Sequence, residues 1–91
     1  MKYKKYKIAD NIMEEIIEDE ILLMNSKSQF FYKLSGTSAF LWSVIKEFDN
    51  TKDVYLEMRD VFCDVSDEQL KKDIASFFDD ITKKEIVTLY E

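Results

Sequence analysis

Asn11-Ile-Met-Glu-Glu-Ile-Ile-Glu-Asp-Glu-Ile-Leu-Leu-Met24 is the stretch on which the fold turns. As a helix capped by Asn11, it would place Ile12, Ile16, Asp19, Glu20 and Leu23 on one side, an apolar stripe broken by an acidic pair. As strands, Ile12 to Ile17 and Glu20 to Met24 flank a polar turn at Glu18-Asp19. Glutamate and methionine content alone leans towards helix. The neighbouring residues reverse that balance. Asn25-Ser26-Lys27-Ser28 is a polar break, and Gln29-Phe30-Phe31-Tyr32-Lys33-Leu34 has the aromatic richness of a short strand. A short strand needs a partner, and Glu20 to Met24 is the only nearby candidate. The reading is therefore a three-stranded antiparallel meander.

Beyond it the pattern turns helical. Ser35-Gly36-Thr37 leads into a helix with Phe40, Leu41, Val44, Ile45 and Phe48 on its apolar side and Trp42 buried beside them. Asp49-Asn50 ends it, and Thr51 caps a second helix presenting Val54, Met58, Val61 and Phe62. Ser66 and Gln69 have capping-box spacing, ahead of a third helix with Leu70, Ile74, Phe77 and Ile81 on one stripe. Lys83-Lys84 suits the C-terminal end of its dipole. Glu85 to Tyr90 reads as a last short strand or as an extended tail packed on the core. The expected class is α+β, a small winged helix-turn-helix domain: three-stranded antiparallel sheet, three helices, and a short C-terminal β-prone segment. The domain runs from 12 to 91, behind a basic N-terminal segment at 1–11.

Composition narrows the chemistry. The 91 residues include no histidine, no proline, one glycine and one cysteine. Triads and zinc sites that need histidine cannot be built, and a lone Cys63 makes no internal disulfide. Cys63 reads as a small buried hydrophobe at the end of the second helix. Gly36 alone supplies no phosphate cradle, and no calcium-loop spacing occurs among the acids. No catalysis, metal or cofactor is expected. With no apolar run of membrane length and no signal peptide, a cytoplasmic location is expected.

Charge points away from nucleic acid. Lysine and arginine total 13 against 19 acids, for a net charge of −6. Four of the lysines lie within the first seven residues, which read as a frayed, solvated start or an electrostatic tether. The third helix, the one a helix-turn-helix protein would insert into the major groove, carries Asp67, Glu68, Asp73, Asp79, Asp80 and Glu85 against Lys71, Lys72, Lys83 and Lys84. It is net negative and lacks arginine, the commonest reader of guanine edges.

Several segments follow one another at the intervals of a known family: Asp19-Glu-Ile-Leu-Leu-Met-Asn25, Phe31-Tyr-Lys-Leu34, Gly36-Thr-Ser-Ala-Phe-Leu-Trp42, the Asp64-Val-Ser66 junction, and Lys71-Lys-Asp-Ile74 leading to Phe77-Phe78. Across about residues 12 to 90 the chain resembles the PqqD-like proteins, recognition elements for ribosomally made, post-translationally modified peptides. Family members usually have Leu-Asn where this chain has Leu34-Ser35, and serine keeps the local capping chemistry. The resemblance implies an adaptor without chemistry of its own. It would hold the leader of a precursor peptide as an added β-strand beside the third helix and present it to a modifying enzyme. A radical S-adenosylmethionine maturase is the favoured partner, and a lasso-peptide leader protease the alternative. A winged-helix DNA binder and a plain assembly subunit are the rivals of another class.

The candidate binding residues follow from strand parity and helix spacing. Tyr32 and Leu34 face the core, which turns Phe31 and Lys33 outward on an open edge. The leader is expected to run antiparallel along Gln29, Phe30, Phe31, Tyr32 and Lys33. On the third helix, the stripe beside the core contains Lys71, Ala75, Phe78 and Thr82. Ala75 leaves room for a peptide side chain, Phe78 offers an apolar contact, and Lys71 and Lys72 meet leader carboxylates. Against that, Phe77 and Phe78 both belong to the core if its buried arc is wide. An edge that accepts a leader also admits a second copy, so a homodimer stays open.

Overall fold

In a computed structural model describing residues 2–90, the chain runs β1 (Lys5–Ile8), β2 (Ile12–Ile17), β3 (Glu20–Asn25), β4 (Phe31–Ser35), α1 (Thr37–Ile45), α2 (Thr51–Val61), α3 (Asp67–Lys83) and β5 (Val87–Tyr90). The decisive stretch is a hairpin. Ile17 faces Glu20 across a two-residue turn, in which Glu18 takes φ 57°. A positive φ is what a tight hairpin turn requires to match the strand twist. β2, β3 and β4 form an antiparallel meander in that order, with Leu23 opposite Glu14 on one side and Tyr32 on the other. Alternation then puts Ile21, Leu23, Tyr32 and Leu34 on the face turned to the helices, where Leu23 and Leu34 are fully buried.

The third strand starts later than the aromatic run suggests. Gln29 has φ 64° and donates its N–H to the Asn25 carbonyl, while Asn25 N donates to the Phe30 carbonyl. Gln29 and Phe30 thus close the β3–β4 turn and lie outside β4. The buried Asn25 organises this turn through its side chain, which accepts from the backbone N–H groups of Lys27 and Ser28 at 3.0 Å. Its amide donates to the Glu85 carbonyl at 2.8 Å and so ties the turn to the end of α3.

The N-terminal segment corrects the expectation of fraying. β1 pairs antiparallel with β5, Lys5 opposite Tyr90 and Ile8 opposite Val87. Tyr6 is buried, packs its ring at a tilt against Phe78 with centroids 5.2 Å apart, and donates its hydroxyl to the Ile45 carbonyl at 2.7 Å. Burial, then the negative charges of Asp49 and Asp53, push the Tyr6 phenol far above its ordinary pKa. Lys4 and Thr51 lock the start of β1 to α2: Thr51 N donates to the Lys4 carbonyl, and Lys4 N donates to Thr51 Oγ1. The signal was present in Lys5-Tyr6-Lys7-Ile8, which alternates polar and apolar. Its partner strand lies some eighty residues away, out of reach of local reasoning.

The helices hold most of the core. Leu41, Trp42, Val44 and Ile45 of α1, Val54 and Met58 of α2, and Leu70, Ile74, Phe77, Phe78 and Ile81 of α3 are buried together. Gly36 precedes α1 with φ 55°, a backbone setting that side chains rarely adopt. No side chain caps α1; the Ser38 hydroxyl instead accepts from Ser35 N and donates to the Ser35 carbonyl, closing the turn ahead of the helix. Three local expectations change. Asn50, and not Thr51, caps α2 by accepting from Asp53 N at 2.9 Å. Ser66 caps α3 at Gln69 N, but the Gln69 amide turns to Asp73, so only half of the capping box forms. Cys63 is exposed just past α2, because Phe62 already ends that helix.

Candidate functional site

β4 is one edge of the meander and, among the described residues, pairs only with β3, which leaves its outer side open to an added strand up to Ser35, whose N–H and carbonyl are taken by the Ser38 hydroxyl. Phe31 and Lys33 project from its outer face, and Phe31 is 60% exposed. Lys33 forms an exposed ion pair with Glu20 at 3.2 Å, a contact of little energetic weight. On the inner face Tyr32 reaches α3. Its ring lies 6.1 Å from Phe77, its hydroxyl donates to Asp80 Oδ2 at 3.2 Å, and the Lys84 ammonium sits 5.1 Å over its ring. Burial first, then the charge and hydrogen bond of Asp80, raise the Tyr32 phenol above its ordinary pKa.

The helix stripe expected to face this strand lies on the other flank. At about 100° per residue, Phe77, Asp80 and Lys84 are displaced by roughly 150° from Lys71, Ala75, Phe78 and Thr82. The contacts agree. Lys71 pairs with Asp67 at 3.2 Å and stands over the Tyr55 ring on α2. Phe78 is buried against Tyr6 of β1, as a wide core arc requires. Ala75 is exposed and, with Phe78, lines a hollow of about 300 Å³ closed by Lys4, Thr51 and Leu89. Thr82 donates to the Phe78 carbonyl and opens on a second hollow, about 600 Å³, beside Asn25, Lys27 and Ser28. Lys72 is exposed. The structure thus joins Phe31, Tyr32 and Lys33 to Phe77, Asp80 and Lys84, and separates them from the Lys71–Ala75–Phe78 stripe.

Asp80 and Lys84 were legible only in part. They lie three and seven positions after Phe77, on the same flank as its ring. A core stripe has two flanks, however, and spacing alone does not say which one meets the sheet.

Among the described residues no cluster of three or more metal-ligating side chains occurs, and no helix is long and apolar enough to cross a membrane. The family described as "Coenzyme PQQ synthesis protein D (PqqD)" matches residues 20–87. The solved structure "TbiB1 in Complex with the TbiA(beta) Leader Peptide" superposes with a TM-score of 0.81 at 20% identity, covering 93% of this chain and 98% of that one. At that identity the likeness is one of fold. No curated protein matches the sequence.

Proposed function

The chain belongs to the PqqD family, and from that premise we propose that it holds the leader of a ribosomally made precursor peptide and presents it to a modifying enzyme. Domains of this family are non-catalytic recognition elements, and the protein is no enzyme. The observation that carries the binding mode is the uncovered edge of β4, with Phe31 and Lys33 outward and the Tyr32–Phe77–Asp80–Lys84 contact directly behind it. The leader adds antiparallel to Phe31–Leu34, short of Ser35, whose backbone groups Ser38 holds. Main-chain pairing gives sequence-tolerant affinity, and side chains fitted beside α3 give selection. The like-folded TbiB1, described in complex with a leader peptide, supports the same reading.

Because Lys71, Ala75, Phe78 and Thr82 lie on the far flank of α3, we place the helical wall of the site at Phe77, Asp80 and Lys84. The receiving enzyme is proposed to be a radical S-adenosylmethionine maturase, with a leader protease as the alternative; the genes beside this one separate the two. The test of binding is an amide-shift map of labelled protein titrated with the leader encoded by the neighbouring precursor gene. Shifts at residues 31–35 and 77–84 are expected. Shifts confined to residues 2–7, or to 71, 75 and 78, would place the site elsewhere.

A further inference from the structure

The meander has a second open edge, and its chemistry differs from that of the first. Among the described residues β2 pairs only with β3, and its six residues are almost entirely solvent-facing. Met13, Ile16 and Ile17 are 55%, 68% and 53% exposed, a heavy apolar load for one short strand. Its two middle positions are Glu14 and Glu15. Glu14 shares the inner face with Ile12 and Ile16, and Glu15 shares the outer face with Met13 and Ile17. Each face of the edge therefore presents one carboxylate between two apolar side chains. Glu14 is held by Lys46 at 2.9 Å, whereas Glu15 makes no ion pair among the described residues.

Charge at an edge is a common guard against unwanted pairing. Here its position also decides which occupant fits. A second copy pairing edge to edge needs a two-fold axis perpendicular to the sheet, so residues facing across the axis come from the same face. The antiparallel registers that pair five residues of β2 then set either Glu14 or Glu15 directly against its own copy. The other registers pair three residues or fewer. Like charges directly opposite are destabilising, and the edge rejects its own copy. β4 obeys the same rule, because its five-residue register sets Lys33 against Lys33.

We propose that β2 is a docking edge for an extended segment of a partner protein that carries two adjacent cationic residues between apolar ones. Such a strand would satisfy the free backbone groups, cover Met13, Ile16 and Ile17, and set lysine or arginine opposite Glu14 and Glu15. The site is separate from β4, so a partner can be held here while β4 is occupied. The partner is defined by this chemistry and not by which peptide β4 holds.

The probes are two capped peptides, Thr-Val-Ile-Lys-Lys-Ile-Val-Thr and its counterpart with Glu-Glu at the centre. Each is titrated into the labelled full chain at about 20 mM and about 0.5 M salt, conditions that separate screened from unscreened contacts. The lysine peptide is expected to shift amides at residues 12–17, to bind about tenfold more tightly than the glutamate peptide, and to weaken at high salt. The double variant Glu14→Lys, Glu15→Lys should reverse the preference while leaving the leader titration at residues 31–35 unchanged. The wild-type comparison stands even if that variant folds poorly. Shifts at 31–35 alone, no shifts at 12–17, or equal binding of both peptides would overturn the proposal. Loss of leader binding at β4 would instead count against the proposed function and leave this result standing.

Discussion

The Tyr32 hydroxyl donates to Asp80 Oδ2 across 3.2 Å, tying the open strand of the meander to the C-terminal half of α3. Strand edge and helix wall are thereby held in one geometry before any peptide arrives. On the proposed binding mode, that lowers the ordering cost an incoming strand must offset. The contact is solvent-accessible, so its value is positional more than energetic. Tyr32→Phe should keep the melting temperature within a few degrees yet weaken leader binding. Calorimetric titration beside a melting curve checks both, and unchanged affinity would show that the tether plays no part.

Phe31 and Phe78 make a sharper pair. Phe31 is largely exposed on the outer face of β4, and Phe78 is buried against Tyr6. Phe31→Ala should weaken leader binding by about 1–3 kcal/mol with little change in stability. Phe78→Ala should instead destabilise the fold by about 3–5 kcal/mol, the usual cost of emptying a buried phenylalanine site. Ala75→Trp, crowding the hollow beside Lys4 and Leu89, should disturb β1 and leave the β4 titration intact.

The buried Tyr6 predicts an alkaline weakness. Its folded pKa is raised, so the native state retains a proton that the unfolded chain releases near pH 10. The contribution is fully present below about pH 10 and is lost as the pH climbs from there towards the folded value. Tyr6→Phe strips the hydrogen bond to the Ile45 carbonyl and should cost about 1–2 kcal/mol at neutral pH. Above about pH 10 the gap between variant and wild type should narrow. Denaturant unfolding at two pH values reads this directly; a constant gap would contradict it.

Asp67 marks where α2 meets α3. Its carboxylate accepts from the Tyr55 hydroxyl and pairs with Lys71, and these contacts, Tyr55 first, hold its pKa below the usual aspartate value. A depressed carboxylate stabilises above its unfolded pKa and loses that contribution as pH falls through the folded one. Carboxyl chemical-shift titration should find Asp67 ionising at lower pH than an ordinary aspartate. Tyr55→Phe should move the midpoint back up.

Removing residues 2–8 is expected to destabilise the whole domain, because β5 then loses its pairing partner and the core loses the Tyr6 ring. Circular dichroism melts of the truncated chain measure this. A melting temperature equal to that of the full chain would mean that β1 is dispensable.

The order of elements from residue 12 onward was legible because it rests on neighbours. The helix–strand conflict at residues 12 to 24 resolved once Phe31 to Leu34 demanded a partner, and the hairpin turn fell at Glu18-Asp19 as expected. The α3 stripe was legible because Leu70, Ile74, Phe77 and Ile81 repeat with the helical period, and all four are buried. So was the outward direction of Phe31 and Lys33, which needs only the two-residue alternation of a strand.

Three features were decided by tertiary structure alone. β1 became a strand because β5, Asp49 and Thr51 converge on it from distant parts of the chain, and local pattern carries no record of such long-range pairing. The cap of α2 fell to Asn50 because the helix already begins at Thr51, whose N–H and hydroxyl are both engaged by the Lys4 backbone. The flank of α3 that meets β4 is that of Asp80 and not that of Phe78, because α3 is buried on one side and flanked on both. Periodicity states how wide a buried stripe is; which neighbour covers each margin depends on how the helix is rotated against the sheet, and packing sets that rotation.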